Sequence, residues 1–334
     1  MRNIHCLVTG GAGFIGSHVA EQLLRTGCRV VVLDDLSGGQ VDNVPPGAIL
    51  EIASILDRAR IEELFEQYHF DYVFHLAAYA AEGLSHFIKH FNYQNNLIGS
   101  VNLINASVNY EVNCFVFTSS IAVYGSAQLP MTESMPPRPE DSYGIAKYAV
   151  EMELDATHDM FGLDYIVFRP HNVYGERQNI GDKYRNVIGI FMNQIMQGRP
   201  MTIFGDGTQT RAFSYIADVA PIIAHSTEVP AARNQVFNVG ADKPYTLNDL
   251  ARAVAEAMDV KPEIVYLPRR NEVQHAHSSH EKVHRIFGER RPVSLEEGLR
   301  RMAQWVKSVG PRKSRPFDNV EIPKNLPPSW ITRG

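Results

Sequence analysis

The chain has 334 residues and a formal net charge of −5, with 44% hydrophobic and 21% charged residues. This length suits one large α/β domain with a smaller lobe, and the slightly acidic balance excludes a nucleic-acid or membrane-surface partner that needs a basic patch. No apolar run approaches the roughly 20 residues of a membrane-spanning helix. The 3 cysteines lack metal-ligand spacing, so we expect buried free thiols, no metal site and a cytoplasmic enzyme without a signal peptide.

Apolar strands alternate with amphipathic helices through the first half of the chain. The predicted strands cover residues 4–8, 29–33, 49–52, 72–78, 114–120 and 165–170. The pattern indicates an α/β fold with a Rossmann-type doubly wound parallel sheet. Ligands of such sheets bind beyond the carboxyl ends of the strands, where the sequence places Gly10, Asp34, Ala77, Ser120 and Pro170.

Three glycines mark the turn from the first strand into the first helix. Gly10, Gly13 and Gly16 allow backbone N–H groups and a helix N-terminus to approach a pyrophosphate. The second strand ends in Asp34, at about the distance expected for a carboxylate that binds ribose hydroxyls. The order of these features predicts a dinucleotide site, and the alternative is a glycine turn with a structural role only.

Tyr143 and Lys147 stand four residues apart and therefore share one face of a predicted helix. A phenol with a pKa near 10 is a poor base at neutral pH, but a neighbouring ammonium and an oxidised nicotinamide both favour the phenolate. Such a pair often lies on a helix surface without a function. Here it follows the dinucleotide pattern and a strand ending in Ser119 and Ser120, so we interpret it as catalytic, with Ser120 sharing the proton.

The second half of the chain has shorter segments and more loops. We predict a sheet domain at 1–173 to which some later segments return, a smaller α/β substrate lobe at 174–310 and a C-terminal extension at 311–334. Helices are predicted at 247–258 and at 295–306, the second with Ser294 and Glu297 in a capping box. We expect the extension to be loosely packed, and we assign it no function.

Several segments resemble the extended short-chain dehydrogenase/reductases, within them the NAD-dependent nucleotide-sugar epimerase/dehydratase family, up to about residue 307. The matching segments include 9–16, 33–36, 75–78, 119–125, 169–175, 205–211 and Tyr143 with Lys147. The pattern is similar to that of UDP-glucose 4-epimerases. Residues 77–88 are also locally similar to GDP-mannose 3,5-epimerases.

The resemblance implies that Ser120, Tyr143 and Lys147 are the catalytic residues. It implies NAD as the cofactor, because Asp34 repels the extra phosphate of NADP and no basic residue follows immediately. Ser54 stands where the family usually has an acidic residue, so we expect weaker recognition of adenine. The implied NAD-binding residues are Gly10, Gly13, Phe14, Ile15, Asp34, Asp35, Ser54, Ile55, Leu76, Ala77, Ala78, Asn96, Ser119, Tyr143, Lys147 and Pro170.

The implied substrate is a nucleotide-diphosphate sugar, with a UDP-sugar favoured and a GDP-sugar possible in the same site. Asn172 and Asn186 are expected to meet the diphosphate or the adjacent sugar. The implied role of Arg211 and Arg269 is to bind diphosphate oxygens, which suits a planar, always-charged guanidinium. Ser120 and Tyr143 contact the reacting sugar carbon in this scheme.

Glu82, Ser85 and His86 follow the fourth predicted strand, so their loop is expected to overhang the nicotinamide and the sugar. Loops in that position select substrates, because a buried polar group left unpaired by the wrong sugar costs roughly 1–3 kcal/mol. The alternative is that Glu82 and His86, four residues apart, pair with each other on a solvated turn.

The residues after Ser120 favour one reaction over the others in the family. Ile121 and Ala122 cannot transfer protons, which disfavours dehydration, and the Cys/Lys pair of 3,5-epimerases is replaced by Ala122 and Asn186. We therefore predict redox-neutral epimerisation at C4. The alternatives are a net 4-dehydrogenase or reductase, a GDP-sugar epimerase and a non-catalytic dinucleotide-binding scaffold.

Two predicted helices carry apolar faces that suggest a homodimer. Leu97, Val101 and Ile104 share a face of one helix, and Tyr148 and Met152 lie along the other. In the family such a pair meets its symmetry mate, and two-fold dimers are the commonest oligomers. The alternative is that the two faces pack only against each other.

Overall fold

A computed structural model describes residues 4–270, 272–314 and 317–330. Its strands are β1 (His5–Thr9), β2 (Arg29–Asp34), β3 (Ile49–Ile52), β4 (Tyr72–His75), β5 (Cys114–Thr118), β6 (Tyr165–Pro170), β7 (Val173–Tyr174), β8 (Met201–Phe204), β9 (Thr210–Ala212), β10 (Ser214–Tyr215), β11 (Gln235–Val239), β12 (Pro244–Thr246), β13 (Ile264–Leu267) and β14 (His275–Ala276). Its helices are α1 (Phe14–Arg25), α2 (Arg58–Tyr68), α3 (Glu82–Ser85), α4 (Lys89–Tyr93), α5 (Gly99–Asn109), α6 (Ser142–Phe161), α7 (Val187–Met196), α8 (Ile216–Ala224), α9 (Leu247–Ala257), α10 (Glu281–Phe287) and α11 (Leu295–Val309).

A sheet of seven parallel strands in the order β11-β6-β5-β4-β1-β2-β3 forms the centre of the described structure. Side chains alternate along these strands, so Val8 and Val116 contribute to the core on one face. Leu7 and Phe115 contribute to the core on the other face, under α2, α5 and α6. The predicted doubly wound α/β sheet is confirmed.

Strand ends and one helix start differ from the sequence prediction. β4 ends at His75 and β5 at Thr118, so Ser119 and Ser120 leave the sheet as loop residues. The helix predicted to carry Leu97, Val101 and Ile104 begins earlier than this apolar face, because α4 continues through a π-helical turn, Gln94–Ile98, into α5. A π turn holds one more residue than an α-helical turn, so it interrupts the 3.6-residue spacing of apolar side chains from which the helix was predicted.

The second lobe is built from small sheets and shares chain with the sheet domain. β8 pairs with β13, and β9 pairs with β12 and β14. β11 returns to the large sheet beside β6, and α8 packs against α1. The predicted cap of α11 is present, since the Ser294 hydroxyl accepts from the backbone N–H of Glu297. Thr246 caps α9 in the same way through the N–H of Asp249.

Most described residues of the C-terminal extension are exposed, and Trp330 anchors it to the rest of the structure. Trp330 is only 6% exposed and lies in an apolar cluster with Leu84 and Tyr184. The rings that contact Trp330 are not spaced periodically along the sequence, so this packing could not be predicted from the sequence. In the part of the chain that the structure describes, no helix has the length and apolar character needed to span a bilayer.

Candidate active site

The glycine turn after β1 leaves space for a pyrophosphate. Gly10 has a φ of 68°, and a β-carbon there would lie 2.7 Å from the backbone of Ala77. A β-carbon on Gly16 would lie 2.2 Å from the carbonyl oxygen of Gly10. Gly13 caps α1 without a side-chain hydrogen bond from the described residues, and the first turn has no acidic residue. The first N–H groups of α1, beginning at Phe14, therefore suit an anionic ligand.

The carboxylate of Asp34 is fixed at the end of β2. It accepts hydrogen bonds from the backbone N–H of Ala12 at 3.0 Å and of Leu36 at 2.8 Å. Burial raises the pKa of Asp34, which these hydrogen bonds oppose. The remaining lone pairs of the Asp34 carboxylate can accept hydrogen bonds from a ribose diol. The glycine turn and this carboxylate together therefore fit NAD. Asp35 is exposed and accepts from the Ser37 N–H at 2.9 Å.

Ser54 lies half-buried after β3, and its hydroxyl oxygen accepts from the Leu56 N–H at 3.2 Å. Gly99 approaches the neighbouring Ile55 so closely that a β-carbon would meet the isoleucine side chain at 2.5 Å. Part of the hydrogen-bonding capacity of Ser54 is thus used within its own turn. The predicted weaker adenine recognition stays a prediction.

Buried polar groups hold the chain that leaves β4. The His75 ring lies between the hydroxyls of Thr9 at 2.7 Å and Ser100 at 2.8 Å. Burial holds the pKa of His75 well below its usual value, so the ring is neutral. The Asn96 amide accepts from the Tyr79 N–H at 2.9 Å and donates to the Tyr79 carbonyl at 3.1 Å. Asn96 therefore positions the turn that carries Leu76, Ala77 and Ala78, and its predicted contact with NAD stays a prediction.

The structure brings Ser120, Tyr143 and Lys147 together at the carboxyl edge of the sheet. The Ser120 hydroxyl accepts from the Ala122 N–H at 3.1 Å and lies near enough to the Tyr143 phenol to lower the pKa of that phenol. Lys147 Nζ lies 5.8 Å from the centre of the Tyr143 ring and donates to the Thr118 carbonyl at 2.8 Å. One lysine N–H is used by the protein, and the others are available to a ligand.

Burial dominates the protonation of this group of residues. It raises the pKa of Tyr143 above its usual value, and the nearby Ser120 hydroxyl opposes the rise. Burial also lowers the pKa of Lys147 to about 7, against the attraction of Glu151. In the protein alone the pKa of the phenol therefore stays raised. Formation of the phenolate needs additional positive charge, such as that of an oxidised nicotinamide.

A buried ion pair supports the end of β5. The carboxylate of Glu151 accepts two hydrogen bonds from the Arg169 guanidinium, and it also accepts from the Ser119 hydroxyl at 2.5 Å. The hydroxyl of Ser119 is thus committed to Glu151. Its predicted contact with NAD stays a prediction, and Pro170 follows Arg169 as the last residue of β6.

Ser85 holds the start of the helix that carries Tyr143. Its hydroxyl donates to the Glu82 carbonyl at 2.6 Å and accepts from the Tyr143 N–H at 3.1 Å. The Asp141 carboxylate caps the same helix turn by accepting from the Gly144 N–H at 2.8 Å. Ser85 is 1% exposed, so its geometry indicates a positioning role, and the predicted contact with the sugar stays a prediction.

Glu82 is exposed at the start of α3, near charged groups of both the sheet domain and the second lobe. Desolvation by the nearby protein and the charge of Asp141 raise its pKa to about 7. Arg211 and Arg270 act in the opposite direction. Among the described residues no hydrogen bond or ion pair joins Glu82 to His86, but the charge of Glu82 acts to raise the pKa of His86, so the alternative of a solvated turn also stays a prediction.

The other predicted substrate residues lie on or beside the lobe. Asn172 is exposed, has a φ of 41° and donates to the Ala212 carbonyl at 3.1 Å, while Asn186 immediately precedes α7. Arg211 donates to three backbone carbonyls and is thereby fixed in orientation. Arg269 is exposed and donates to the Gln274 side chain at 2.7 Å. Their contacts with a diphosphate stay predictions.

Two arginines near the cleft were missed in the sequence. Arg270 lies over the Phe204 ring at 4.6 Å and pairs with Glu272 at 2.8 Å. Arg185 lies over the Tyr79 ring at 4.9 Å, and its charge acts on Tyr143. Arg270 directly follows Arg269, which was predicted to bind the substrate. Because neighbouring residues of an extended segment point in opposite directions, either arginine could have been the one that faces the site. Arg185 carries no comparable signal.

Most of the chain matches a family of known proteins. The model of the NAD dependent epimerase/dehydratase family matches residues 6–240. The chain belongs to this family. The cofactor is NAD, as the glycine turn and Asp34 indicate.

Solved structures of the epimerase/dehydratase family match the whole fold. UDP-glucose 4-epimerase of Thermotoga maritima, solved with UDP-glucose, is 36% identical with a TM-score of 0.88, covering 92% of this chain and 99% of that chain. UDP-glucose 4-epimerase of Thermus thermophilus, solved with NAD, is 32% identical with a TM-score of 0.84, covering 91% and 99%. UDP-N-acetylglucosamine 4-epimerase of Methanobrevibacter ruminantium, solved with UDP-N-acetylmuramic acid, is 32% identical with a TM-score of 0.85, covering 92% and 100%.

Proposed function

We propose that this protein is an NAD-dependent epimerase that inverts C4 of a nucleotide-diphosphate sugar, with UDP-hexoses the favoured class. The observation that carries the proposal is the grouping of Ser120, Tyr143 and Lys147 at the carboxyl edge of the sheet, the edge at which the glycine turn also lies. Similarity to three solved 4-epimerases of UDP-sugars supports the same reaction and nucleotide.

In the proposed mechanism, the chain's own residues bind the sugar and move one proton. Tyr143 takes the proton of the C4 hydroxyl, and Ser120 holds the phenol and sugar oxygens in line for that transfer. NAD held at the glycine turn and Asp34 would supply hydride chemistry at C4 and, when oxidised, positive charge that favours the phenolate. Lys147 orients the site through its remaining N–H groups. Tyr143 then returns the proton, so the cycle has no net redox change.

The surroundings of Ser120 favour epimerisation over elimination. Ile121 and Ala122 are each 9% exposed and carry no group that could protonate a leaving hydroxyl. The 4-keto sugar therefore meets no second acid–base group at these positions.

An assay with and without added NAD tests the proposed function. UDP-glucose, UDP-galactose and GDP-mannose are incubated with the protein, C4 epimers are followed by NMR and reduced cofactor by its absorbance. We expect epimers of a UDP-sugar without accumulation of reduced cofactor. Accumulation of reduced cofactor would indicate a net dehydrogenase, and the absence of any epimer would contradict the proposal.

Glu82 is proposed to select the sugar. Glu82→Ala and Glu82→Gln are expected to change the ratio of kcat/KM between UDP-sugars with different substituents, because a mismatched buried polar group costs roughly 1–3 kcal/mol. His86→Ala is expected to have a similar effect, and NAD affinity is expected to stay unchanged in all three. Glu66→Gln, on the exposed surface of α2, is the control. An equal loss of kcat/KM with every sugar would show that Glu82 has a structural role and does not select the sugar.

A homodimer is proposed from apolar side chains exposed on α6 and at the start of α5. Ile98 and Ile145 are each 43% exposed and Met152 is 57% exposed, whereas Ile104, predicted on this face, is buried in the core. Burial of these side chains against a second copy would remove the exposed patch.

Disrupting this patch is expected to produce monomers. Light scattering of the wild-type protein should give twice the chain mass of 37.5 kDa. Met152→Arg should give the single mass, because an arginine there cannot be buried in an apolar contact without a partner. Met160→Arg, near the far end of α6, is the control and should remain dimeric. A monomeric wild-type protein at micromolar concentration would remove the proposal.

A further inference from the structure

The chain continues beyond α11 as a segment that we term the C-terminal strap, residues 311–330, described except for residues 315 and 316. The solved relatives match over almost their whole length and still leave part of this chain unmatched. The family resemblance in the sequence also ends before the strap. Its role is therefore not supplied by the shared fold.

The strap is bound to the lobe where it begins. The Asn193 side chain on α7 donates to the Arg312 carbonyl and accepts from the Arg312 N–H, both at 2.9 Å. Gln197 donates to the same carbonyl at 2.8 Å. Further along, the Phe317 N–H donates to the Tyr184 hydroxyl at 2.9 Å. These contacts direct the strap from α7 towards the segment that precedes it.

The middle of the strap is bound to the loop after β4. The two carboxylate oxygens of Glu321 accept from the N–H groups of His90 and Phe91, both at 2.8 Å. The N–H groups of Glu321 and Ile322 donate to the Phe87 carbonyl at 2.9 and 3.1 Å. The strap thereby fixes the C-terminal end of the loop that contains Glu82.

Trp330 joins three segments of the cleft. Its ring meets that of Tyr184 at 5.1 Å between centroids, and the Arg270 guanidinium lies 5.8 Å from its centre. A β-carbon on Gly83 would lie 3.4 Å from the indole, so the ring rests directly on the residue after Glu82. The segment after β4, the segment before α7 and the segment after β13 therefore converge on one side chain.

The same three segments carry charged groups of the cleft. The charges of Glu82 and Arg185 act on the Tyr143 phenol, and the charge of Arg270 acts on Glu82. Arg185 follows Tyr184 directly in the sequence. A shift of Trp330 would therefore move the groups that surround the reacting end of a sugar, while Asp34 and the glycine turn lie on other elements.

We propose that the C-terminal strap is a specificity element of the sugar subsite and that Trp330 is its positioning residue. Trp330 holds the Glu82 loop and Arg270 in place without contacting the reacting atoms. The inference rests on the proposed function to the extent that the ligand is a nucleotide sugar.

Separate affinities for the sugar and nucleotide parts of the ligand test the strap. Calorimetry on the NAD-loaded protein gives the Kd of UDP-glucose and of UDP for the wild type, Trp330→Ala, Trp330→Phe and a chain ending at Gly310. We expect Trp330→Ala and the shortened chain to raise the Kd of UDP-glucose about tenfold and to change the Kd of UDP less than twofold. One subsite contact changes the discrimination between ligands by about 10–200-fold. Trp330→Phe should restore most of the UDP-glucose affinity, because a ring still packs against Gly83.

The control is Trp305→Ala, which removes the chain's other tryptophan from the half-buried surface of α11. It should leave the ratio of the two Kd values unchanged. Equal weakening of UDP and UDP-glucose in Trp330→Ala, or the same change of ratio in Trp305→Ala, would overturn the proposal. If the shortened chain does not fold, the point variants decide.

Hydrogen exchange separates this proposal from the proposed function. Amides of residues 83–91 should exchange faster in Trp330→Ala than in the wild type, with those of α1 unchanged, whether or not any sugar is epimerised. Unchanged exchange at residues 83–91 would overturn the positioning role. A wild-type protein that binds UDP-glucose without epimerising it would contradict the proposed function and leave the strap measurements valid.

Discussion

Replacing Tyr143 with phenylalanine is expected to lower turnover by several orders of magnitude and to leave the fold intact. The phenol is the group next to Ser120 that can take the C4 proton, and the ring itself is packed at 7% exposure. The loss should exceed the roughly 10²–10⁴-fold typical of one acid–base group, because hydride transfer cannot proceed while the proton remains on the sugar. Turnover is measured by NMR of the C4 epimers.

The matched control for this substitution is Tyr148→Phe, on the same helix and half-buried. It removes the same hydroxyl from a position outside the hydrogen-bonded group and should retain wild-type turnover. Both variants should keep the wild-type melting temperature, because neither substitution removes a packed ring. Near-normal turnover in Tyr143→Phe would show that another residue is the base.

Six of the seven strands of the large sheet were predictable from the sequence because their signals are local, whereas β11 was not among the predicted strands. Each strand is a short apolar run next to a turn, and the glycine spacing and Asp34 mark two adjacent strand ends. Tyr143 and Lys147 were recognisable because a helix places residues four apart on one face. Because each motif follows a strand of a parallel sheet, the motifs were expected to lie together at the carboxyl edge of that sheet.

Hydrogen bonds between distant residues were not predictable in this way. The hydroxyl of Ser85 bonds the Tyr143 N–H, 58 residues away, and that of Ser119 bonds Glu151, 32 residues away. A motif places a residue at a strand end but does not show whether its side chain points to a ligand or to the protein. The strap was unpredictable for the same reason, since Trp330 packs on residues remote in sequence.

Replacing Lys147 with methionine is expected to lower turnover by roughly 10²–10⁴-fold, the range of one acid–base group. Lys147 is 2% exposed, its Nζ lies beside the Tyr143 ring, and methionine fills a similar volume without a charge or donor. The variant should therefore fold and should lack the N–H groups that orient the phenol and the cofactor. The assay is the NMR measurement of C4 epimers used for Tyr143→Phe.

The same substitution is expected to change how stability depends on pH in the cofactor-free protein. Burial lowers the pKa of Lys147 to about 7, below the value of about 10.4 for an unfolded lysine. Between these values the unfolded chain binds more protons than the folded chain, so this group makes the free energy of unfolding rise with pH from about 7 to about 10. Lys147→Met should lack that rise, whereas the control Lys261→Met, at an exposed position, should keep it. Denaturant unfolding at several pH values measures the difference, and equal slopes in wild type and Lys147→Met would show that Lys147 stays protonated in the folded protein.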